Sequence, residues 1–288
     1  MTEEIGSPQR WKAFSAATLI SKITHRATSR IIVGQELCRN DRYLAAAQNL
    51  LNFIFINGLV ISMLPLGPLR RSLSYPLSVF HRVRLRQAMR EILPTVQARC
   101  DEYRIQRQAK EDNQRSDKLD GIEWSIELAQ ARKEEPQPER IAATLLHTAW
   151  AGSPSTAGLI TQMVFQVLLE PQCLEPLRTE AETAFRTFGF TDVALGNMVL
   201  MDSFIRETNR LYPTGAVTCG RTVMDQAGFR FHDGFELPSG TKIAVPALAI
   251  QTDPDHFDDP FAFNGFRFAD RAAKGGSSAS TVSETNLA

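Results

Sequence analysis

The chain has almost no charge of either sign left over: Lys plus Arg and Asp plus Glu both number 32 among its 288 residues. That balance gives no electrostatic reason to expect nucleic acid as a partner. Cysteine is scarce. The four cysteines, Cys38, Cys100, Cys173 and Cys219, lie far apart with no C-x-x-C pair and no secretory signal visible ahead of them. This argues against a disulfide framework and points to a reducing compartment. Long hydrophobic runs are also missing. The most apolar stretch, Leu50 to Leu64, is shorter than the roughly 20 residues that span a bilayer, contains Asn52 and Asn57, and meets Pro65. It reads as a core helix first and a membrane-touching one second. No internal repeat is present, and the polar opening MTEEIGSPQRW shows no targeting or anchoring segment.

What is present is mostly helical periodicity. Phe14, Ala17, Leu19, Ile20, Ile23, Ala27 and Ile31 recur at helical spacing, which predicts a helix from Trp11 to Val33 that stops near Gly34. Further helices are expected from about Asp41 to Leu64 and from about Tyr75 to Gln108, the latter basic through Arg82, Arg84, Arg86 and Arg90. Such a face is ordinarily solvated; docking of an acidic partner is the alternative. Residues 107–121 are nearly devoid of apolar side chains and read as a linker, as do residues 133–139. From Arg140 to Glu170 the pattern is apolar all round, which predicts a helix buried through the middle of a domain. Within it Pro154 removes an N–H and should open the helix, leaving room for a water. Strand signals cluster only after Pro213: GAVTCGRTVM, a hairpin turning at Asp233-Gly234, and LPSGTKIAVPALAI. The fold class is therefore mainly α with a small β portion.

Glu-x-x-Arg places an acid and a base on one helical face and occurs three times, at Glu36/Arg39, Glu175/Arg178 and Glu207/Arg210. The spacing alone decides nothing. Only the third copy lies in a helix ending Leu211-Tyr212-Pro213, followed by strands, a Pro-Ser-Gly turn, and a further arginine in Phe263-Asn264-Gly265-Phe266-Arg267-Phe268. That order resembles the cytochrome P-450 family, in which the Glu-x-x-Arg helix is locked by the arginine of a later Phe-x-x-x-Arg-Phe element. RIIVGQELCRN (Arg30 to Asn40) and the Leu-Arg-x-Glu of Glu170 to Phe185 are similar to stretches of fungal secondary-metabolism members, and AGSPST (Ala151 to Thr156) to the family's oxygen-side element.

The resemblance implies a structural ion triad of Glu207, Arg210 and Arg267. It implies a haem-facing helix with Ala151 and Gly152, and catalytic alcohols at Ser155 and Thr156, with Pro154 standing where the family has an acid. The bland alternative is that both hydroxyls bond back to carbonyls one turn earlier. Ala216, Val217 and Thr218 become substrate-channel candidates and Arg221 a possible haem propionate contact, although sheet packing explains the same residues. The cofactor implied is haem, but the family's Phe-x-x-Gly-x-x-x-Cys-x-Gly ligand motif does not occur here, so the chain itself offers no metal ligand. The expectation is a partial cytochrome P-450 domain at 1–268, lacking the N-terminal part and the C-terminal haem-cysteine segment, with a flexible tail at 269–288. The implied activity is monooxygenation of a small apolar secondary metabolite, terpenoid or polyketide, with electrons from NADPH through a cytochrome reductase. The implied location is intracellular, at the endoplasmic reticulum membrane for a full-length relative, although this chain shows no transmembrane segment. A non-catalytic, degenerate helical protein lacking haem is the alternative.

Overall fold

The computed structural model describes residues 13–63, 69–108 and 118–273. They form two compact units that divide between Ala157 and Gly158.

In the first unit, α1 (Ala16–Ile32) begins where the Ser15 hydroxyl accepts from the Thr18 N–H, so residues 13–15 are not helical as the periodicity had implied. After Val33 the chain turns through Gly34 into the short α2 (Gly34–Leu37). Asn40 then caps α3 (Asp41–Met63), its side-chain oxygen accepting from the N–H groups of Arg42 and Tyr43. Next come α4 (Leu69–Gln108) and α5 (Gly121–Ala131). The fourth helix starts before Tyr75 and carries Pro76 and Pro94 inside it. Leu50, Ile92, Val96, Ile122 and Leu146 meet in the core of this unit.

The stretch at 107–121 is less of a linker than its polarity implied. Arg107 and Gln108 belong to α4, Gly121 opens α5, and residues 109–117 lie outside the described part. Asp120 is buried. One of its oxygens caps α5 through the N–H groups of Ile122 and Glu123 and takes a 2.7 Å bond from Arg99 of α4. The bend at Gly34 is built against this pair. Its φ is +85°, and a Cβ there would collide with the Asp120 carboxylate and stand 3.0 Å from the Arg99 guanidinium. RIIVGQELCRN thus has a physical reason: glycine lets the chain turn against a buried ion pair, and asparagine starts the next helix.

The second-longest of the described helices, α6 (Pro138–Leu169), crosses the division between the units. It takes up Pro138, so the expected linker at 133–139 ends sooner. It also continues without interruption through Pro154, so the expected opening does not occur; one lost backbone bond leaves a packed helix in place. Nor is it buried all round, since Leu168 and Leu169 are 72% and 69% exposed.

In the second unit a 3-10 turn (Pro171–Cys173) leads to α7 (Leu174–Phe188), α8 (Asp192–Gly196) and α9 (Val199–Leu211). No side chain of the local N-cap residue, Met198, caps α9. Instead the Glu180 carboxylate reaches across from α7 and accepts from Leu200 and Met201, both at 2.8 Å. Two small antiparallel pairs follow. β1 (Thr218–Thr222) pairs with β4 (Lys242–Val245), and one extra residue in β1 makes a bulge at Cys219, whose φ is +54°. β2 (Phe229–Arg230) pairs with β3 (Glu236–Leu237) around the expected turn at Asp233-Gly234. A short α10 (Ala247–Gln251), an irregular segment, and α11 (Arg267–Ala273) complete it. Residues 269–273 are therefore helical rather than flexible tail. Of the described helices, none is long and apolar enough to cross a membrane.

Gly34→Ala combines left-handed backbone strain, about 1–2 kcal/mol, with the collision at Asp120, whereas Gly240→Ala meets the same strain at φ +83° in open space. Denaturant midpoints should fall clearly further for Gly34→Ala. Equal shifts would mean that the Arg99–Asp120 pair yields at no cost.

Candidate functional site

The centre of the second unit is the Glu207 carboxylate, completely inaccessible to solvent. It sits one helical turn before Arg210 on α9, and the two make a bidentate pair: Arg210 Nε to Oε2 and Nη2 to Oε1, both 2.8 Å. Arg267, at the first position of α11, donates from Nε to Oε1 at 3.1 Å, and the Asn264 N–H donates to the same oxygen at 3.0 Å. The structure thus brings together the three residues of the implied triad. Burial alone would push the Glu207 carboxyl up; the Arg210 bonds, the Asn264 amide and the two guanidinium charges outweigh it and hold it below its usual value.

One carboxylate cannot neutralise two guanidinium groups, and the excess positive charge goes to backbone carbonyls. Arg210 donates to Gln251, Pro260 and Ala262, while Arg267 donates to Asp258, Asp259 and Ala262. These bonds hold an irregular segment that has no strand or helix from Thr252 to Phe266. Phe257 lies against the Arg210 guanidinium at 4.9 Å. Two residues not singled out from sequence complete the assembly. The buried Ser203 hydroxyl donates to Gly265 O and accepts from the N–H groups of Phe268 and Ala269. Gly265 has no room for a side chain, because a Cβ would stand 2.7 Å from the Phe204 ring. Ser203 precedes Glu207 by four residues, a spacing that puts both on one helical face and was readable as such.

The other two Glu-x-x-Arg copies behave differently. Glu36 and Arg39 are exposed, and Glu175 and Arg178 form a solvent-facing pair at 2.9 Å.

In the first unit, Ala151, Ser155 and Thr156 are exposed on α6, and Gly152 is partly so. The Ser155 hydroxyl donates to Ala151 O at 3.0 Å and the Thr156 hydroxyl to Gly152 O at 2.7 Å. Each oxygen keeps acceptor capacity. Packing within the described chain does not demand glycine at 152: a Cβ there would only touch the Thr28 methyl at 3.6 Å. In the second unit Ala216, Val217 and Thr218 run into β1, Ala216 accepting at its carbonyl from Leu248, and the exposed Arg221 donates to the neighbouring Gly220 carbonyl.

Haem, which the resemblance implies, fits these residues on one side only. The bare small-residue stretch of α6 suits the face of a flat macrocycle. The thiols do not suit an axial ligand: Cys38, Cys100 and Cys173 are buried, and burial pushes Cys100 and Cys173 toward the neutral thiol, the opposite of what thiolate ligation requires. Cys219 is exposed in the β1 bulge, and no group of three or more potential metal ligands occurs among the described residues.

Removing one member of a buried, paired set leaves an uncompensated charge, so Glu207→Ala should cost about 3–5 kcal/mol, against about 0–1 kcal/mol for the exposed control Glu175→Ala. Arg210→Lys should also destabilise strongly, because an ammonium cannot reproduce the fork. A depressed carboxyl stabilises the fold above its ordinary value of about 4.5, and that contribution is lost as pH falls through the lower folded value. Chemical unfolding at stepped pH should therefore show an acid limb in the wild type that Glu207→Gln flattens. Equal losses in Glu207→Ala and Glu175→Ala would remove any special standing from Glu207.

The family model for cytochrome P-450 matches residues 1–282. The cytochrome P-450 monooxygenase sirB of Leptosphaeria maculans is 37% identical over 267 residues, covering 92% of this chain and 50% of its own length. Monooxygenase hepE of Aspergillus oryzae is 30% identical, covering 90% of this chain and 46% of its own, and paxP of Penicillium paxilli is 29% identical, covering 87% and 48%. The chain thus spans about half the length of the curated relatives it matches. Among solved structures, the retinoic acid-bound cyanobacterial CYP120A1 superposes with a TM-score of 0.62 at 17% identity, over 88% of this chain and 51% of its own, a likeness of fold. With the family model spanning nearly every residue, the chain belongs to the cytochrome P-450 family.

Proposed function

We propose that this chain forms the oxygen-side and triad portion of a haem-dependent monooxygenase that oxidises an apolar secondary metabolite of the terpenoid or polyketide class. The observation that carries the reading is the fully buried Glu207 with both arginines bonded to it, in a chain matched by the family model from residue 1 to 282. The relatives named sirB, paxP and hepE, all fungal monooxygenases, support the reaction class.

Haem, when bound through a thiolate, supplies the oxygen activation; this chain's residues orient, exclude water and handle protons. The Ala151–Gly152 step offers a surface without bulk. Ser155 and Thr156 hold their protons on the carbonyls of Ala151 and Gly152 and present oxygen lone pairs outward, so a proton accepted at either hydroxyl can be passed on as its own proton moves. Pro154 carries no ionisable group, so protons reach these hydroxyls from solvent rather than from a carboxylate at that position. Ala216, Val217 and Thr218 fit the wall of an apolar channel, and Arg221, an exposed guanidinium on β1, fits a haem propionate. Electrons come from NADPH through a cytochrome reductase. The protein works inside the cell, and a form of the relatives' full length associates with the endoplasmic reticulum membrane.

The test is a chimera in which the segments this chain does not cover are supplied by a relative. It should bind haem and give the red-shifted carbon monoxide absorption band of thiolate-ligated iron, whereas this chain with haem alone should not. A band from this chain alone would mean that one of its own cysteines ligates the iron. No haem uptake by a folded chimera would favour a non-catalytic helical protein. In the active chimera, Thr156→Ala or Ser155→Ala should lower the product formed per NADPH consumed; unchanged coupling in both would leave the two hydroxyls as ordinary helix residues.

A further inference from the structure

Two histidines that the proposed chemistry does not use face each other in the first unit. His81 lies on α4 and His147 on α6, with ring centroids 6.4 Å apart and planes inclined at 55°. The pair joins helices that are 66 positions apart in the chain at these residues. His147 Nδ1 is 2.6 Å from the carbonyl of Ala143 one turn earlier. A carbonyl can only accept, so Nδ1 carries the proton and Nε2 is left with its lone pair pointing away from the helix backbone. That is the arrangement of a metal-ligating imidazole, whose other nitrogen donates to a carbonyl or carboxylate that fixes tautomer and ring orientation. The spacing fits as well. A divalent ion about 2.1 Å from an imidazole nitrogen lies about 3.2 Å from the ring centroid, so two rings sharing one ion stand about 5.3 Å apart at a tetrahedral angle and about 6.4 Å apart when the two nitrogens are trans; the observed separation fits the trans arrangement. Access is open, since His147 is exposed and His81 partly so, and waters can fill the remaining positions.

We propose that His81 and His147 form a two-histidine site for a divalent d-block cation that accepts trans imidazoles, nickel or copper, and that bridges α4 and α6. Imidazole nitrogen suits these ions, whereas magnesium and calcium require oxygen ligands. A bound ion would fasten together two helices, one of which carries Ser155 and Thr156 downstream, and would stabilise the unit by mass action.

The site is tested on the whole chain with nickel chloride alone in a non-coordinating buffer, in a Cys219→Ser background that removes the exposed thiol. Calorimetric titration and thermal melting are read for the parent, His81→Asn, His147→Asn, and His232→Asn as an exposed-histidine control. The expected result is metal-dependent stabilisation of the parent and of His232→Asn, with affinity lower by about tenfold or more in either His81→Asn or His147→Asn, because each removes one arm of a chelate. Copper added in place of nickel should give a paramagnetic resonance spectrum split by two imidazole nitrogens, a readout that does not depend on any variant folding. Nickel binding unchanged in both His81→Asn and His147→Asn, loss of binding only in His232→Asn, or a copper spectrum split by a single nitrogen would overturn the proposal.

Discussion

Keeping one carboxylate ionised with no access to water is the constraint around which the second unit is built. Glu207 meets it by recruiting two guanidinium groups, and that solution creates a new difficulty, an excess positive charge in the same place. The excess is spread over the carbonyls of Gln251, Asp258, Asp259, Pro260 and Ala262. A segment without regular hydrogen bonding is thereby held by charge-assisted bonds, each stronger than a neutral one. Only guanidinium has enough donors, in a fixed plane, to serve a carboxylate and several carbonyls at once. The Ser203 hydroxyl and the absent side chain at Gly265 are consequences of the same design: the segment must come close to α9 for Arg267 to reach, and any bulk there would hold it away.

How far the sequence disclosed this depends on whether a feature has a residue signature. The helical class, the late strands and the turn at Asp233-Gly234 were legible because period and turn chemistry are local. Glu207 and Arg210 were legible as a pair, but the same spacing at Glu175 and Arg178 gives only a surface contact, so the buried pair was told from the exposed one by its context and not by its spacing. The partner Arg267 is 60 positions away and was reached by resemblance rather than by pattern. Backbone carbonyls carry no identity, which hid the destination of the excess charge. Asp120 was mistaken for linker because its composition is polar; a buried aspartate looks like a solvated one until Arg99, 21 positions away, is placed beside it. Pro154 misled in the other direction. Its missing N–H is a local cost, and whether a helix breaks there is settled by the packing on either side.

The two implied functional regions differ in how much of themselves they contain. The triad is complete within the second unit, every donor and acceptor supplied by this chain. The α6 stretch is unfinished by comparison: its hydroxyls are turned back on their own helix, and the glycine at 152 answers to no close neighbour in the described structure. On the proposed reading, the alanine–glycine step is the surface against which a large flat group would lie. The buried thiols of Cys100 and Cys173 behave as small apolar side chains, filling the cores of their respective units.

The distance along the chain between Glu207 and Arg267 also has a meaning in time. On a ribosome, α9 emerges some sixty positions before the residue that completes its carboxylate. Its helical turns can form early, and Arg210 then supplies one donor to each carboxylate oxygen, but the two further donors to Oε1, from Asn264 and Arg267, come only later. The acid is therefore fully bonded only once Arg267 has been made. The short helix α11 thus completes the carboxylate's shell: until it is made, the irregular segment lacks the bonds that hold it, and a nascent chain halted before it would be presented to chaperones and proteases as unfinished.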